Sequence, residues 1–221
     1  MQKPWLTTLA ACAAALTMST SATADTKAKA AMPATFKNPV VSGFASDPSV
    51  CRKGDDYYLV TSTFEYLPGL PVYHSKDLVH WRHIGNALSR ESQLTFPGRK
   101  SSKAIFAPTI RCQPDAFYII NTDVEGIGNF VINAKDPAGP WSDPVRIPEP
   151  EFGMDPSLLF DDDGTVYYTR HGGLRNGGAY QAIIDLKTGK LKEPAKEIWK
   201  GMGGVWPEGP HLHTINGWHY L

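Results

Sequence analysis

The amino-acid sequence predicts an all-β fold made of repeated units, and three observations support this prediction. A short strand, a turn and an aromatic strand recur at intervals near fifty residues along the chain. The chain contains 20 glycines and 18 prolines, which suits many strands joined by tight turns. No convincing amphipathic helix pattern interrupts these segments. A repeat of about fifty residues with several strands in each unit is typical of a β-propeller.

Four units begin along the chain, each with a short motif that precedes an aromatic strand. The motifs are D-P-S-V from Asp47, A-P-T-I from Ala107, D-P-S-L from Asp155 and E-G-P-H from Glu208. The first residues of successive motifs lie 60, 48 and 53 positions apart. Because the chain stops within the fourth unit, the sequence is expected to cover about three and a half units of an incomplete propeller.

A run of three aspartates and a glycine, Asp161 to Gly164, occupies the place where each unit is expected to turn between its first two strands. Aspartate and glycine favour such turns because they tolerate positive φ and hydrogen-bond to nearby backbone. A calcium loop of the EF-hand type would need acids at positions 159 and 170, which are Leu159 and Arg170. The sequence therefore predicts a turn at this run, and no metal site.

Three carboxylates share one position of the repeat, namely Asp47, Asp155 and Glu208, whereas Ala107 holds that position in the second unit. Equivalent positions of propeller units lie around the same end of the central channel, so these acids are expected to converge on one pocket. The alternative is that each acid merely starts a strand and caps a turn. Like charges held close together raise each other's pKa and are usually tolerated for chemistry. Two carboxyl groups across a cleft are used in glycoside hydrolysis, in which one protonates the leaving oxygen and the other activates water or attacks the sugar.

Two aromatic residues are expected to stand beside these acids and to offer apolar faces to a sugar ring. Phe106 directly precedes the Ala107 position, and Phe64 ends the second strand of the first unit. His211 and His213 alternate along one strand and are expected to share a face. Without a third ligand at suitable spacing, a pocket or packing role is favoured over zinc binding for the histidines.

The first 24 residues are expected to be a signal peptide. Lys3 precedes an alanine-rich apolar run, and Ala24 completes a small-residue cleavage motif. The run is too short for a membrane span. Lipid attachment at Cys12 is the less favoured alternative, and residues 25–37 read as a flexible leader. The predicted location is therefore periplasmic or extracellular.

Charge and cysteine content give further expectations. The 22 basic and 22 acidic side chains leave a formal net charge of zero, so nothing points to nucleic acid or an anionic membrane as a partner. Cys51 and Cys112 fall one position apart in the repeat register, on opposite strand faces. That register predicts that they do not form a disulfide.

Several stretches of the chain closely resemble glycoside hydrolase family 43, and within it the β-xylosidases and α-L-arabinofuranosidases. The similar stretches are GFASDPSV, DDYYLVTSTFEYLPGLPVYHSKDLVHW, FAPTIR, DPSLLFDDDGTVYYT and PEGPHL. The resemblance extends over residues 38–221 and implies a glycosidase domain with a five-bladed propeller, incomplete here at its C-terminus. It also implies inverting release of xylosyl or arabinofuranosyl units from hemicellulose-derived oligosaccharides. The alternative is a non-catalytic carbohydrate-binding propeller or an inactive fragment.

The resemblance implies a role for each candidate residue. Asp47 matches the general base, Glu208 the general acid, and Asp155 a third carboxylate that modulates the pKa of the acid and orients it. Phe64 matches an aromatic residue beside the scissile bond, and Phe106 stands where the family more often has tryptophan. His211 is expected to bind substrate.

The resemblance implies no required cofactor. A structural calcium ion, the oligomeric state and the choice between xylose and arabinose are left open.

Overall fold

The computed structural model has an all-β architecture over the residues that it describes, which are 35–151, 153–172, 177–203 and 207–221. These residues contain no helix, so none of them belongs to a helix that could cross a membrane. The described residues fall in one compact unit, Ala34–Leu221. The expected signal peptide, Cys12 and most of the expected leader lie outside them.

The described strands form three four-stranded sheets and one hairpin, and in each the strands pair antiparallel in chain order. The first sheet comprises β1 (Ser49–Lys53), β2 (Asp56–Val60), β3 (Gly69–Ser75) and β4 (Arg82–Leu88), and the second β5 (Thr109–Cys112), β6 (Phe117–Asp123), β7 (Gly128–Ala134) and β8 (Val145–Arg146). The third comprises β9 (Ser157–Phe160), β10 (Val166–His171), β11 (Ala179–Ile183) and β12 (Lys196–Trp199), and the hairpin β13 (His213–Ile215) and β14 (Trp218–Tyr220).

The run of aspartates between β9 and β10 forms the predicted turn. The Asp161 carbonyl accepts a hydrogen bond from Gly164 N at 3.0 Å, and Asp161 N donates to Thr165 O at 2.9 Å. Asp163 Oδ1 accepts the Thr165 N–H at 2.7 Å. Gly164 has a φ of 84°, a conformation that glycine adopts without steric cost. These aspartates therefore close a hairpin.

The second sheet is buried on both faces because its side chains alternate between two apolar clusters. On β6, Ile119 packs in the cluster shared with the first sheet, and the next residue, Ile120, packs in the cluster shared with the third. On β7, Ile132 and Val131 divide in the same way. The period-2 alternation of strand side chains thus joins three sheets through one central sheet. This stacking brings the leading ends of β1, β5 and β9 together.

The prediction that the cysteines stay unpaired is wrong, because Cys51 and Cys112 form a disulfide with their Cα atoms 5.5 Å apart. The register placed them correctly on opposite faces of equivalent strands. However, successive sheets stack so that one face of a sheet packs against the opposite face of the next. The rings of Tyr58 and Phe117, from the first and second sheets, illustrate this packing with centroids 4.9 Å apart. Side chains on opposite faces of neighbouring units therefore point toward each other. The disulfide ties β1 of the first sheet to β5 of the second.

Candidate active site

One cavity of about 530 Å³ opens where the first strands of the sheets begin. All six residues singled out from the sequence line it, together with five others from the same segments. The lining residues are Asp47, Pro48, Phe64, Phe106, Ala107, Pro108, Met154, Asp155, Glu208, Gly209 and His211.

Asp47 lies at the mouth of the cavity, two residues before β1, with an exposed side chain. Its backbone has a φ of 51°, the left-handed region that few non-glycine residues adopt. Ser62 Oγ donates a hydrogen bond to Asp47 Oδ2 at 2.5 Å, and Ser62 N donates to Ser46 O at 3.0 Å. The end of β2 thus fixes both the carboxylate and the backbone that carries it.

Asp155 occupies the equivalent place before β9, with a φ of 53°, but its side chain is only 9% exposed. The Gly209 N–H donates a hydrogen bond to Asp155 Oδ2 at 3.2 Å. Burial raises the pKa of Asp155 to about 6, and the negative charges of Glu208 and Asp47 add to this rise. The three carboxylates therefore interact electrostatically, as the repeat register predicted.

Glu208 is exposed to solvent on the segment that precedes the final hairpin. This segment is attached to the third sheet at two points. One is the hydrogen bond between Gly209 and Asp155, and the other joins Ser157 Oγ to Pro210 O at 2.6 Å. Glu208 thus lies beside Asp155 because β9 holds the backbone that follows it.

The aromatic wall of the cavity consists of Phe64 and Phe106, whose ring centroids lie 5.0 Å apart. The backbones of Phe64 and Ile105 exchange two hydrogen bonds of 2.8 Å, which set the spacing of the rings. Asn121 Nδ2 donates to Phe106 O at 2.7 Å. This wall presents apolar ring surface beside the acids, as a sugar-binding site requires.

His211 lines the cavity from the final segment, with Nε2 3.1 Å from Thr109 Oγ1. Burial lowers the pKa of His211 to about 4, and the positive charge of Arg111 lowers it further. The side chain is therefore a neutral imidazole near pH 7. His213 stacks on it with ring centroids 6.3 Å apart, so the two histidines share a face as predicted, although His211 itself precedes β13.

Residues that support the site were not identified from the sequence. Ser62 and Thr109 lie in the conspicuous T-S-T-F and A-P-T stretches, so their motifs offered a signal. No sequence signal pointed to Met154 or to the Gly209 N–H, because their contribution to the site depends on how distant segments pack. Trp206, two residues before Glu208 in the sequence, lies outside the described residues.

The arrangement suits acid–base chemistry on an uncharged substrate. Two exposed carboxylates, Asp47 and Glu208, face a cavity with an apolar wall, and a buried third acid stands beside them. One carboxylate can accept a proton from water while another donates one to a leaving group. Among the described residues, no group of three or more His, Cys, Asp or Glu side chains is arranged to hold a metal ion.

Comparison with known proteins identifies relatives across this region. The family described as glycosyl hydrolases family 43 matches residues 36–221. A xylosidase/arabinosidase of Butyrivibrio fibrisolvens is 52% identical over 194 residues, which cover 83% of this chain and 37% of that protein. A non-reducing end α-L-arabinofuranosidase of Bacteroides ovatus is 46% identical over 191 residues, covering 85% of this chain and 35% of that protein.

A solved structure gives the same correspondence in three dimensions. The crystal structure of a xylan β-1,4-xylosidase from Bacillus halodurans superposes with a TM-score of 0.75 at 38% identity, covering 84% of this chain and 38% of that one. The chain therefore spans a little over a third of the length of these relatives.

Proposed function

The chain belongs to glycosyl hydrolases family 43, and from this membership we propose that the protein is an exported, inverting glycoside hydrolase. Its proposed reaction releases β-D-xylosyl or α-L-arabinofuranosyl units from hemicellulose-derived oligosaccharides. The observation that carries the proposal is the cavity in which Asp47, Asp155 and Glu208 stand beside the Phe64–Phe106 wall. The names of the relatives, which mention both xylosidase and arabinosidase activity, support both sugars as candidates.

In the proposed reaction Asp47 is the general base and Glu208 the general acid. A water molecule attacks the anomeric carbon, and Asp47 takes one of its protons as the new C–O bond forms. The bond to the leaving oxygen breaks while Glu208 delivers a proton to that oxygen. Attack opposite to the leaving group inverts the anomeric configuration. The exposure of both side chains at the cavity supports these roles.

Asp155 is proposed to modulate and orient the acid without touching the reacting atoms. Its buried carboxyl is coupled electrostatically to Glu208, and it accepts a hydrogen bond from Gly209, the residue that follows Glu208. Through the electrostatic interaction, Asp155 influences how protons are shared between its own carboxyl group and that of Glu208. Through the hydrogen bond it fixes the backbone that carries the acid.

The substrate is proposed to bind by ring contacts and neutral hydrogen bonds. Phe64 and Phe106 provide apolar surface for a sugar ring, and neutral His211 can donate or accept a hydrogen bond with a hydroxyl. A cavity of about 530 Å³ is within the usual range for small-molecule sites. Hydrolysis by two carboxylates and water needs no cofactor.

The proposal extends to the architecture and location of the protein. The three stacked four-stranded sheets and the following hairpin support membership of a five-bladed propeller. The Cys51–Cys112 disulfide supports export, because structural disulfides persist in oxidising compartments.

The decisive experiment incubates the protein with an aryl β-D-xyloside and an aryl α-L-arabinofuranoside. Release of the aryl group from at least one of them is expected, and NMR should detect the inverted sugar anomer first. The Asp47→Ala variant should lose turnover and regain part of it with added azide, a small nucleophile that replaces the activated water. Early appearance of the retained anomer would disprove the inverting assignment. Sugar binding without turnover of either substrate would instead identify a non-catalytic carbohydrate-binding protein.

A further inference from the structure

A buried polar network lies next to the segment that precedes Asp155, and none of its side chains lines the cavity. Glu149 and Arg170 form an ion pair in which the side chains are only 7% and 3% exposed, with Glu149 Oε1 2.9 Å from Arg170 Nη2. Arg170 Nε also donates to both Glu149 oxygens, at 2.9 and 3.0 Å. The geometry is thus bidentate, the strong form of an arginine–carboxylate pair.

The network continues from this ion pair to the second sheet. Tyr168 donates its hydroxyl hydrogen to Glu149 Oε2 at 2.5 Å. Asn129 Nδ2 donates to Tyr168 Oη at 2.6 Å and to the carbonyl of Gly153 at 3.0 Å. We refer to Asn129, Glu149, Tyr168 and Arg170 as the Glu149–Arg170 network. It ends two residues before Asp155.

The backbone before Asp155 has no room to shift toward this network. His171 N donates to Met154 O at 2.9 Å, and Arg170 Nη1 donates to His171 O at 3.2 Å. A Cβ atom on Gly153 would clash with Arg170 Cδ and with the backbone oxygen of His171. Only a glycine therefore fits against Arg170 at this position.

The conformation of Asp155 itself requires such support. A non-glycine residue in the left-handed region is sterically strained, and it persists only where its surroundings over-determine it. A buried ion pair is also a poor source of net stability, because desolvation offsets the attraction between its charges. A network that is costly to bury and that holds a strained segment therefore suggests a role in positioning.

We propose that Glu149 and Arg170 are positioning residues that act through Tyr168, Asn129 and Gly153 to hold Asp155 buried beside Glu208. The role in catalysis rests on the proposed function, in which Asp155 modulates the general acid. The charged and titratable groups around Asp155 are Glu208 and Asp47, which line the same cavity, with His171 and Arg170 on the neighbouring strand β10.

The test uses the double variant Glu149→Gln/Arg170→Met, which removes both charges together and so leaves no lone buried charge. The first measurement is the carboxyl pKa of Asp155, obtained by NMR titration of protein labelled with ¹³C-aspartate. We expect the pKa to fall from about 6 by about one unit or more, because a released Asp155 becomes solvated. The second measurement is amide hydrogen exchange at His171, which should accelerate at least about tenfold as its bond to Met154 opens more often.

Two milder variants keep the test decisive if the double variant folds poorly. Tyr168→Phe removes the hydroxyl that joins the ion pair to Asn129, and Gly153→Ala forces a Cβ against Arg170. Both should lower the Asp155 pKa and accelerate His171 exchange, each to a smaller extent than the double variant. A Tyr168→Phe protein with both quantities unchanged would contradict the proposed connection.

The matched control is a second buried ion pair among the described residues, Arg99–Asp123, whose side chains are 14% and 0% exposed. The variant Arg99→Met/Asp123→Asn should alter stability and leave the Asp155 pKa near 6. An unchanged Asp155 pKa and His171 exchange in the folded Glu149→Gln/Arg170→Met variant overturn the proposal, and so does an equal pKa change in the control. None of these readouts requires turnover, so they test the positioning role even if the protein hydrolyses no glycoside.

Where turnover is measurable, the double variant Glu149→Gln/Arg170→Met should change kcat and the pH profile of kcat more than KM.

Discussion

Asp47 in the first unit and Asp155 in the third occupy the same repeat position, share the sequence D-P-S and have almost the same φ, 51° and 53°. Their surroundings nevertheless differ. Asp47 is exposed and accepts a hydrogen bond from the Ser62 hydroxyl. Asp155 is buried, accepts a hydrogen bond from the Gly209 backbone and has a pKa raised to about 6.

This comparison shows that the repeat determines the position of the carboxylate. The neighbouring segments that pack around it determine its burial and its hydrogen-bond partner. Solvent at the cavity mouth leaves the Asp47 carboxylate accessible to a water molecule, as its proposed role as base requires. The segment after Glu208 packs against Asp155, and the Glu149–Arg170 network is proposed to hold it there. One local sequence can therefore serve two roles in one cavity.

Among the substitutions that test this comparison, Asp47→Ala is expected to have the largest effect, a loss of kcat. Loss of the base should lower kcat by roughly 10³- to 10⁴-fold, or about 4–5.5 kcal/mol of transition-state stabilisation. Steady-state kinetics on an aryl glycoside measures this effect, with circular dichroism to check the fold. A variant that retains more than a tenth of the activity would show that Asp47 is not the base.

A second difference between the two regions is covalent, because only the Asp47 unit is tied to the second sheet by a disulfide. The variant Cys51→Ala/Cys112→Ala releases a loop of 61 residues, which should lower the free energy of unfolding by about 4 kcal/mol. Urea unfolding with and without a reductant measures the loss. Reductant should have no effect on the variant, and equal stability of the two proteins would show that packing alone holds these sheets.

The third prediction concerns the pH dependence of stability that arises from Asp155. Its pKa is higher in the folded protein than the ordinary 3.8, so folding binds a proton. The stabilisation is complete below about pH 4 and is lost as the pH rises through 6. In Asp155→Asn this loss is absent, so the variant should gain about 2.5 kcal/mol relative to the wild type between pH 4 and pH 8. Urea unfolding of both proteins at pH 4 and pH 8 measures this change in relative stability. A stability difference between variant and wild type that is the same at both pH values would contradict the prediction.

The smallest effect is expected in the hairpin turn, six or more residues after Asp155 in the same stretch of sequence. Asp162→Asn and Asp163→Asn should each leave the free energy of unfolding nearly unchanged, because both side chains are exposed, and should leave kcat unchanged. Thermal unfolding and the aryl glycoside assay measure both quantities. A turn variant that shifts the pH profile when Asp155→Asn does not would reverse the assignment of this stretch.

Much of this organisation could be predicted because it is encoded locally. The D-P-S and A-P-T motifs located the first strands, and the aspartates with Gly164 located a turn. The repeat register indicated that Asp47, Asp155 and Glu208 come together, since equivalent positions need only the spacing of the units.

The features that escaped prediction depend on contacts between distant segments. Pairing of Cys51 with Cys112 required knowing that neighbouring sheets stack front to back. The burial of Asp155 and the exposure of Asp47 follow identical local sequences, so no pattern could distinguish them. Glu149 and Arg170 belong to different segments, and only packing brings them together.

The pairing of strands in chain order also has a consequence for the sequence of folding events. Each sheet is a meander whose strand pairs close short loops, so its register can form without the other sheets. Cys112 ends β5, the first strand of the second sheet. As the chain emerges N-terminus first into an oxidising compartment, the disulfide can therefore close as soon as β5 docks on the completed first sheet. Asp47 would then be anchored before the strands that pack around Asp155 have emerged, so the Asp47 side of the cavity would serve as the template on which the Glu208 side assembles.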